Sequence, residues 1–160
     1  MDLSLSDDDI KKFIPNVIVY SDLAKYSLED LIKSMPLVVL YQTTHNTGHW
    51  TLLHLTPEGV EFFDSYSSMP DEEFKVMEKQ QPHYLAKLLY QLSKITNINY
   101  NTDQLQEINP NINTCGRWVI LRHLMNKYSI DDFVYGVKEV SEALGISPDE
   151  LVTSIITLKV

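Results

Sequence analysis

The stretch from Trp50 to Phe63 restricts the fold more than any other part of the chain. Trp50–Leu55 and Val60–Phe63 are short runs rich in aliphatic and aromatic residues, separated by Thr56-Pro-Glu-Gly59. Proline in the second position and glycine in the last make that tetrapeptide a turn, so the two runs form an antiparallel hairpin. Folding about Pro57–Glu58 sets Leu55 against Val60, and Trp50–Thr51 against Asp64–Ser65. His49 enters the first strand and Asp64 leaves the second, so both lie at the open end of the ladder. Residues opposed directly or diagonally across such a pair stand about 5–8 Å apart, within reach of a His–carboxylate hydrogen bond. A carboxylate on one imidazole nitrogen fixes the tautomer and stabilises the imidazolium.

The surrounding pattern alternates. Ser27-Leu-Glu-Asp30 has the form of a capping box, opening a short helix that stops before Pro36. Leu37–Gln42 reads as a buried strand, and Ile98–Tyr100 as an edge strand. Pro82–Ser93 carries Leu85, Leu88, Leu89 and Leu92 at helical spacing. Cys115–Lys127 is apolar on most sides and reads as a central helix. Ser129 and Ser147-Pro148 open two more helices, the second with proline in its first turn. Asn97–Asn113, with six Asn and no Gly, reads as a short strand followed by a long ordered loop. The expected class is α+β: a small mixed, largely antiparallel sheet packed by helices.

The chain's 160 residues are expected to form one domain, 1–160. Thirteen Lys+Arg against 22 Asp+Glu leave a net charge of −9, which disfavours nucleic acid and anionic membranes as partners. A basic or neutral polypeptide fits better. The longest apolar run, Leu37–Tyr41, is far short of the ~20 residues of a membrane span, and the acidic start is unlike a secretory signal. The single cysteine forms no internal disulfide and suits a reducing compartment.

That cysteine, Cys115, follows Asn109-Pro-Asn-Ile-Asn-Thr114 and begins the apolar helix. A helix N-terminus favours thiolate, the nucleophilic form, and Gly116 would let a substrate carbonyl approach the backbone. A lone cysteine at a helix start is ordinarily a small buried hydrophobe. The polar approach loop and a His/Asp pair lacking a nucleophile weigh against that here. His54 is expected to be packed or at a rim, with His83 and His123 solvated or satisfied on helices. His45 and His49 flank Asn46-Thr-Gly48, a loop without a further Glu or Cys ligand, so no metal site is expected. Asp7–Asp9 and Asp71–Glu73 read as helix-start or solvated charges.

Taken together, Gly48-His-Trp50, then Phe62-Phe-Asp-Ser-Tyr66, then Asn113-Thr-Cys-Gly-Arg117 resemble the adenain-like and SUMO-protease-like cysteine peptidases. The likeness spans roughly Leu37 to Lys127 and is nearest to the capsid-maturation branch of virophages and large DNA viruses. It implies an adenain-like fold in which His49 is the general base, Asp64 orients it, and Cys115 attacks the scissile carbonyl. Trp50 would exclude water, and the Cys115 backbone N–H would be one oxyanion donor. The family's second donor is a Gln before the Cys. The usual spacing lands on Asn109, whereas Gln106 has the right side-chain length and needs an inserted bend to reach Cys115; Gln106 is favoured over Asn109.

The resemblance implies a cysteine endopeptidase that cleaves capsid or other virion precursors after small, Gly-type residues through a thioester. It would work as a monomer without cofactor, nucleic acid or membrane, in virion and host cytoplasm. Rival readings are an isopeptidase acting on ubiquitin-like proteins, an acetyltransferase (for which the chain lacks a basic coenzyme A site), and a non-catalytic scaffold component.

Overall fold

The computed structural model describes residues 4–44, 47–72 and 82–157. The hairpin is its centre. β3 (Thr47–Thr56) and β4 (Gly59–Phe63) pair antiparallel with Leu55 opposite Val60 and Leu52 opposite Phe63, the register set by the two-residue turn. Gly59 has φ 114°, and a side chain there would also meet the Asn97 carbonyl at 2.9 Å, so the turn requires glycine. β2 (Leu37–Thr44) lies antiparallel on the other side of β3. β1 (Asn16–Val19) and β5 (Ile98–Tyr100) close the two edges, each parallel to its neighbour.

The described strands therefore form one mixed sheet in the order β1-β2-β3-β4-β5. The expected antiparallel dominance holds only for its middle three strands, because both edge strands arrive by crossovers that run through helices.

Helices cover both faces. α1 (Asp7–Lys11), α4 (Cys115–Leu124), α5 (Ile130–Leu144) and α6 (Pro148–Ile155) share a core with Val38, Trp50, Leu52 and Phe63. α2 (Leu28–Ser34) and α3 (Tyr84–Ser93) pack on Leu37, Val39, Tyr41, Leu53, Val60 and Phe62. Alternate residues of β2, β3 and β4 thus divide between two cores, as the period of a strand requires.

Local signals placed the helix starts. Ser6 and Ser27 form capping boxes with Asp9 and Asp30, while Ser129 and Ser147 cap α5 and α6. α4 is shorter than its apolar pattern, ending at Leu124. Among the described residues no helix is long and apolar enough to cross a membrane.

Two charge expectations fail here. Asp71, read as solvated, is buried; it accepts from Tyr41 Oη at 2.8 Å and from the Ala86 N–H at 3.0 Å, fastening the loop after β4 to the start of α3. His54 takes the packed one of its two expected positions, whereas His123 is neither solvated nor satisfied, its Nδ1 buried without a hydrogen-bond partner among the described residues. His54 is packed with its Nε2 2.7 Å from Glu61, and His123 is half-buried with its ring 6.0 Å from that of His54. His83, at the start of α3, is exposed. His45 and Glu73 lie outside the described residues.

Candidate active site

His49 sits two residues inside β3 rather than before it, because Gly48 and His49 pair with Gln42 and Tyr41 of β2. A side chain at position 48 would fall 2.5 Å from Leu40 Cδ1 and 2.8 Å from the Tyr41 carbonyl, so glycine permits this close strand contact. Asp64 follows β4, diagonal to His49. Its Oδ1 lies 2.6 Å from His49 Nε2, and both residues are buried. The pairing derived from turn arithmetic is present.

Several groups hold the carboxylate. The Tyr66 N–H donates to Asp64 Oδ1 at 2.8 Å. The Asn101 side chain clasps the Asp64 backbone from both sides, accepting from its N–H at 3.0 Å and donating to its carbonyl at 2.6 Å. The Tyr66 ring stacks on the His49 ring, centroids 4.4 Å apart and 10° from parallel. The imidazole is fixed at its edge by a carboxylate and on its face by an aromatic ring.

Cys115 is the first residue of α4, the helix that packs across β3. Its thiol lies near enough to the His49 ring to favour the protonated imidazole. With Nε2 on Asp64, Nδ1 is the ring atom left for the sulfur. Burial pulls the His49 imidazole down, but the Asp64 charge and hydrogen bond, reinforced by Cys115, carry it well above the ordinary imidazole range. Cys115 is 7% exposed and so almost wholly buried at the start of α4.

Gln106 is buried beside this group. Its Oε1 accepts from Ser65 Oγ at 2.7 Å, and its Nε2 donates to Tyr66 Oη at 3.2 Å and the Ile112 carbonyl at 3.1 Å. The Ser65 carbonyl in turn accepts from the N–H groups of Leu105 and Gln106. The bend needed between Gln106 and Cys115 is the turn in which the Ile112 N–H meets the Asn109 carbonyl. Asn109 is half-exposed, and its Oδ1 accepts from the Asn111 N–H at 2.9 Å within the loop.

Trp50 is buried, with Nε1 donating to the Leu5 carbonyl at 3.3 Å. Gly116 needs correcting: its missing side chain would point into the interior, 3.2 Å from Leu5, 3.3 Å from Trp50 and 3.4 Å from Ile10. Close packing of the start of α4, rather than clearance for a substrate, accounts for this glycine. Among the described residues no group of three or more His, Cys, Asp and Glu is arranged to hold a metal ion.

Sequence reasoning missed Tyr66, Asn101 and Asp149, the last being a buried carboxylate beneath Cys115. Tyr66 was within the Phe-Phe-Asp-Ser-Tyr motif and could have been singled out from it. Asn101 and Asp149 act through contacts that no local pattern announces.

No protein-family model and no solved structure matches the chain. The chain is 32% identical over 166 residues to "Uncharacterized protein V9" of Sputnik virophage, an alignment that covers 96% of this chain and 94% of that protein. This meets the expectation of virophage kinship: the chain belongs to the V9 family of virophage proteins.

Proposed function

We propose that the chain is a cysteine endopeptidase of adenain-like fold that processes capsid or other virion precursors of a virophage. One observation carries the reading: a buried imidazole held between the Asp64 carboxylate and the thiol of a helix-starting cysteine. His49 holds the thiol proton as imidazolium, and the Cys115 sulfur attacks the scissile carbonyl carbon. The carbonyl oxygen takes up the negative charge, received by the Cys115 backbone N–H and by the Gln106 amide once one Nε2 hydrogen turns to it from Tyr66 Oη. His49 then gives its proton to the departing amine, the C–N bond breaks, and a thioester to Cys115 remains. Water attacks that thioester, His49 takes the water's proton, and the acid product leaves with the thiol restored.

The preference for a small, Gly-type residue before the scissile bond rests on the resemblance. The net charge of −9 favours basic precursors. The relative supports virophage kinship, and a virion substrate with a site of action in virion or host cytoplasm is proposed from the resemblance.

The test is to incubate the protein, beside Cys115→Ala, with candidate virion precursors and with ubiquitin-like fusions, and to sequence the new N-termini. Expected are cuts after small residues in the precursors, absent with Cys115→Ala. Cuts confined to the ubiquitin-like fusions would move the assignment to an isopeptidase, and no cut in either would refute both.

A further inference from the structure

Beneath the His–Cys pair, one buried carboxylate touches both halves of the site. Asp149 lies in the first turn of α6. Its Oδ1 accepts from Thr114 Oγ1 at 2.6 Å and from Trp118 Nε1 at 3.0 Å. Its Oδ2 accepts from the Glu107 N–H at 2.9 Å. Thr114 immediately precedes Cys115, Trp118 lies about one turn farther along α4, and Glu107 immediately follows Gln106. A third element thereby ties the nucleophile's helix to the loop that carries the Gln106 amide, through charge-assisted bonds.

Thr114 supplies a second observation. A threonine at a helix N-cap ordinarily has an extended backbone and turns its oxygen back onto an amide of the first turn. Ser27, Ser129 and Ser147 do so in this chain. Thr114 does not: its φ and ψ are −99° and 2°, and its side chain caps nothing. Its hydroxyl donates to Asp149 instead. The cap therefore takes up none of the first-turn amides of α4, which lie beside Cys115 and face outward from the helix end.

We infer that Asp149 is a positioning residue for the proposed reaction. It fixes the Gln106 amide relative to the N-terminus of α4, and it holds the Thr114 hydroxyl away from the amides that receive the oxyanion. The inference rests on the cysteine-peptidase reading. Asp149 acts through the oxyanion donors, so its loss is felt when a tetrahedral oxyanion forms and not when the sulfur reacts by simple displacement.

Two small reagents separate those cases. Iodoacetamide alkylates the thiolate with loss of iodide and forms no oxyanion. p-Nitrophenyl acetate passes through a tetrahedral oxyanion to S-acetyl-Cys115 and p-nitrophenolate, and water then releases acetate. Asp149→Asn keeps the shape of the side chain: its carbonyl can still accept from Thr114 and Trp118, while its NH2 opposes the Glu107 N–H and frees the Gln106 loop. The expected result is acylation about 10- to 100-fold slower with alkylation within about threefold. In a Gln106→Ala background the same change should cost less than about twofold more, because both act on one donor. Thr114→Val takes away one of the two bonds from α4 to Asp149 and leaves no hydroxyl to reach the amides, so it tests the loop tie alone: it shifts the acylation-to-alkylation ratio in the same direction by a smaller factor and serves if Asp149→Asn does not fold.

The inference is overturned if acylation and alkylation fall together, if neither changes, or if the Asp149 and Gln106 losses multiply. Failure of the peptidase reading looks different: wild-type Cys115 would alkylate no faster than glutathione and would form no acetyl thioester.

Discussion

His49–Asp64 and His54–Glu61 are carried by the same two-stranded hairpin, are buried, and have N···O separations of 2.6 and 2.7 Å. Their surroundings differ. At the turn end, Arg122 of α4 grips Glu61 bidentately, with Nε at 2.8 Å and NH2 at 2.9 Å. Two further guanidinium N–H groups donate to the carbonyls of Met125 and Tyr128, and the group lies over the Phe133 ring. Burial pushes the Glu61 carboxyl up, but the His54 and Arg122 hydrogen bonds and charges take it below the usual glutamate value. At the open end, no Lys or Arg pairs with Asp64 among the described residues. Its charge falls on His49, whose other neighbour is a thiol. A His–carboxylate contact alone therefore defines no chemistry. A guanidinium beyond it makes a structural knot, and a sulfur beyond it gives the imidazole a partner for the proposed reaction.

Breaking each pair in turn should separate the two roles. His49→Ala is expected to lower turnover per folded molecule by about 10³-fold or more, and to lower stability as well because it strands the buried Asp64 carboxylate. His54→Ala should leave turnover per folded molecule within a few-fold. Arg122→Met, which strands the Glu61 carboxylate, should cost about 3–5 kcal/mol in urea denaturation. If turnover followed the His54 pair as closely as the His49 pair, the contrast between them would be wrong.

The oxyanion side of the open end gives the next largest effect. Gln106→Ala should lower kcat by about 10²- to 10³-fold, and Asn109→Ala should change it only a few-fold. The reverse outcome would transfer the role to Asn109 despite its engagement with Asn111.

A smaller effect concerns pH. His49 is protonated more readily in the folded chain than in the unfolded one. Its contribution to stability is therefore complete below the ordinary imidazole value and is lost as pH rises through the raised folded value. The departing amine needs the same proton, so kcat should decline on the alkaline side over that window. Asp64→Asn should move this decline to lower pH. A wild-type decline at or below the ordinary imidazole value would contradict the role given to Asp64.

What the sequence made readable follows from how locally each feature is determined. The hairpin register, and with it the meeting of His49 and Asp64, came from one tetrapeptide whose proline fixes φ and whose glycine supplies the positive φ. Helix starts at Ser27, Ser129 and Ser147 were equally local. The start of β3 was not, because Thr47, Gly48 and His49 carry no strand pattern of their own and pair through β2. Asp71 looked like a surface charge until Tyr41 and the amide of Ala86, distant in sequence, were brought to it. β1 has four residues and pairs in parallel across an intervening helix, so nothing nearby marks it. Gln106 could be preferred to Asn109 only by length of side chain; the turn from Asn109 to Ile112 that makes room for it is a property of the folded loop. Asp149 resembled an ordinary acidic residue of a capped first turn, and only the third dimension aims it at Thr114.

The most direct measurement is the rate at which iodoacetamide labels Cys115 at mildly acidic pH, beside glutathione, in the wild type and in His49→Ala. Expected is labelling at least about tenfold faster than glutathione, reduced to or below the glutathione rate when the imidazole is removed. A wild-type sulfur no faster than glutathione, or one indifferent to His49, would contradict a nucleophile–base pair at this site.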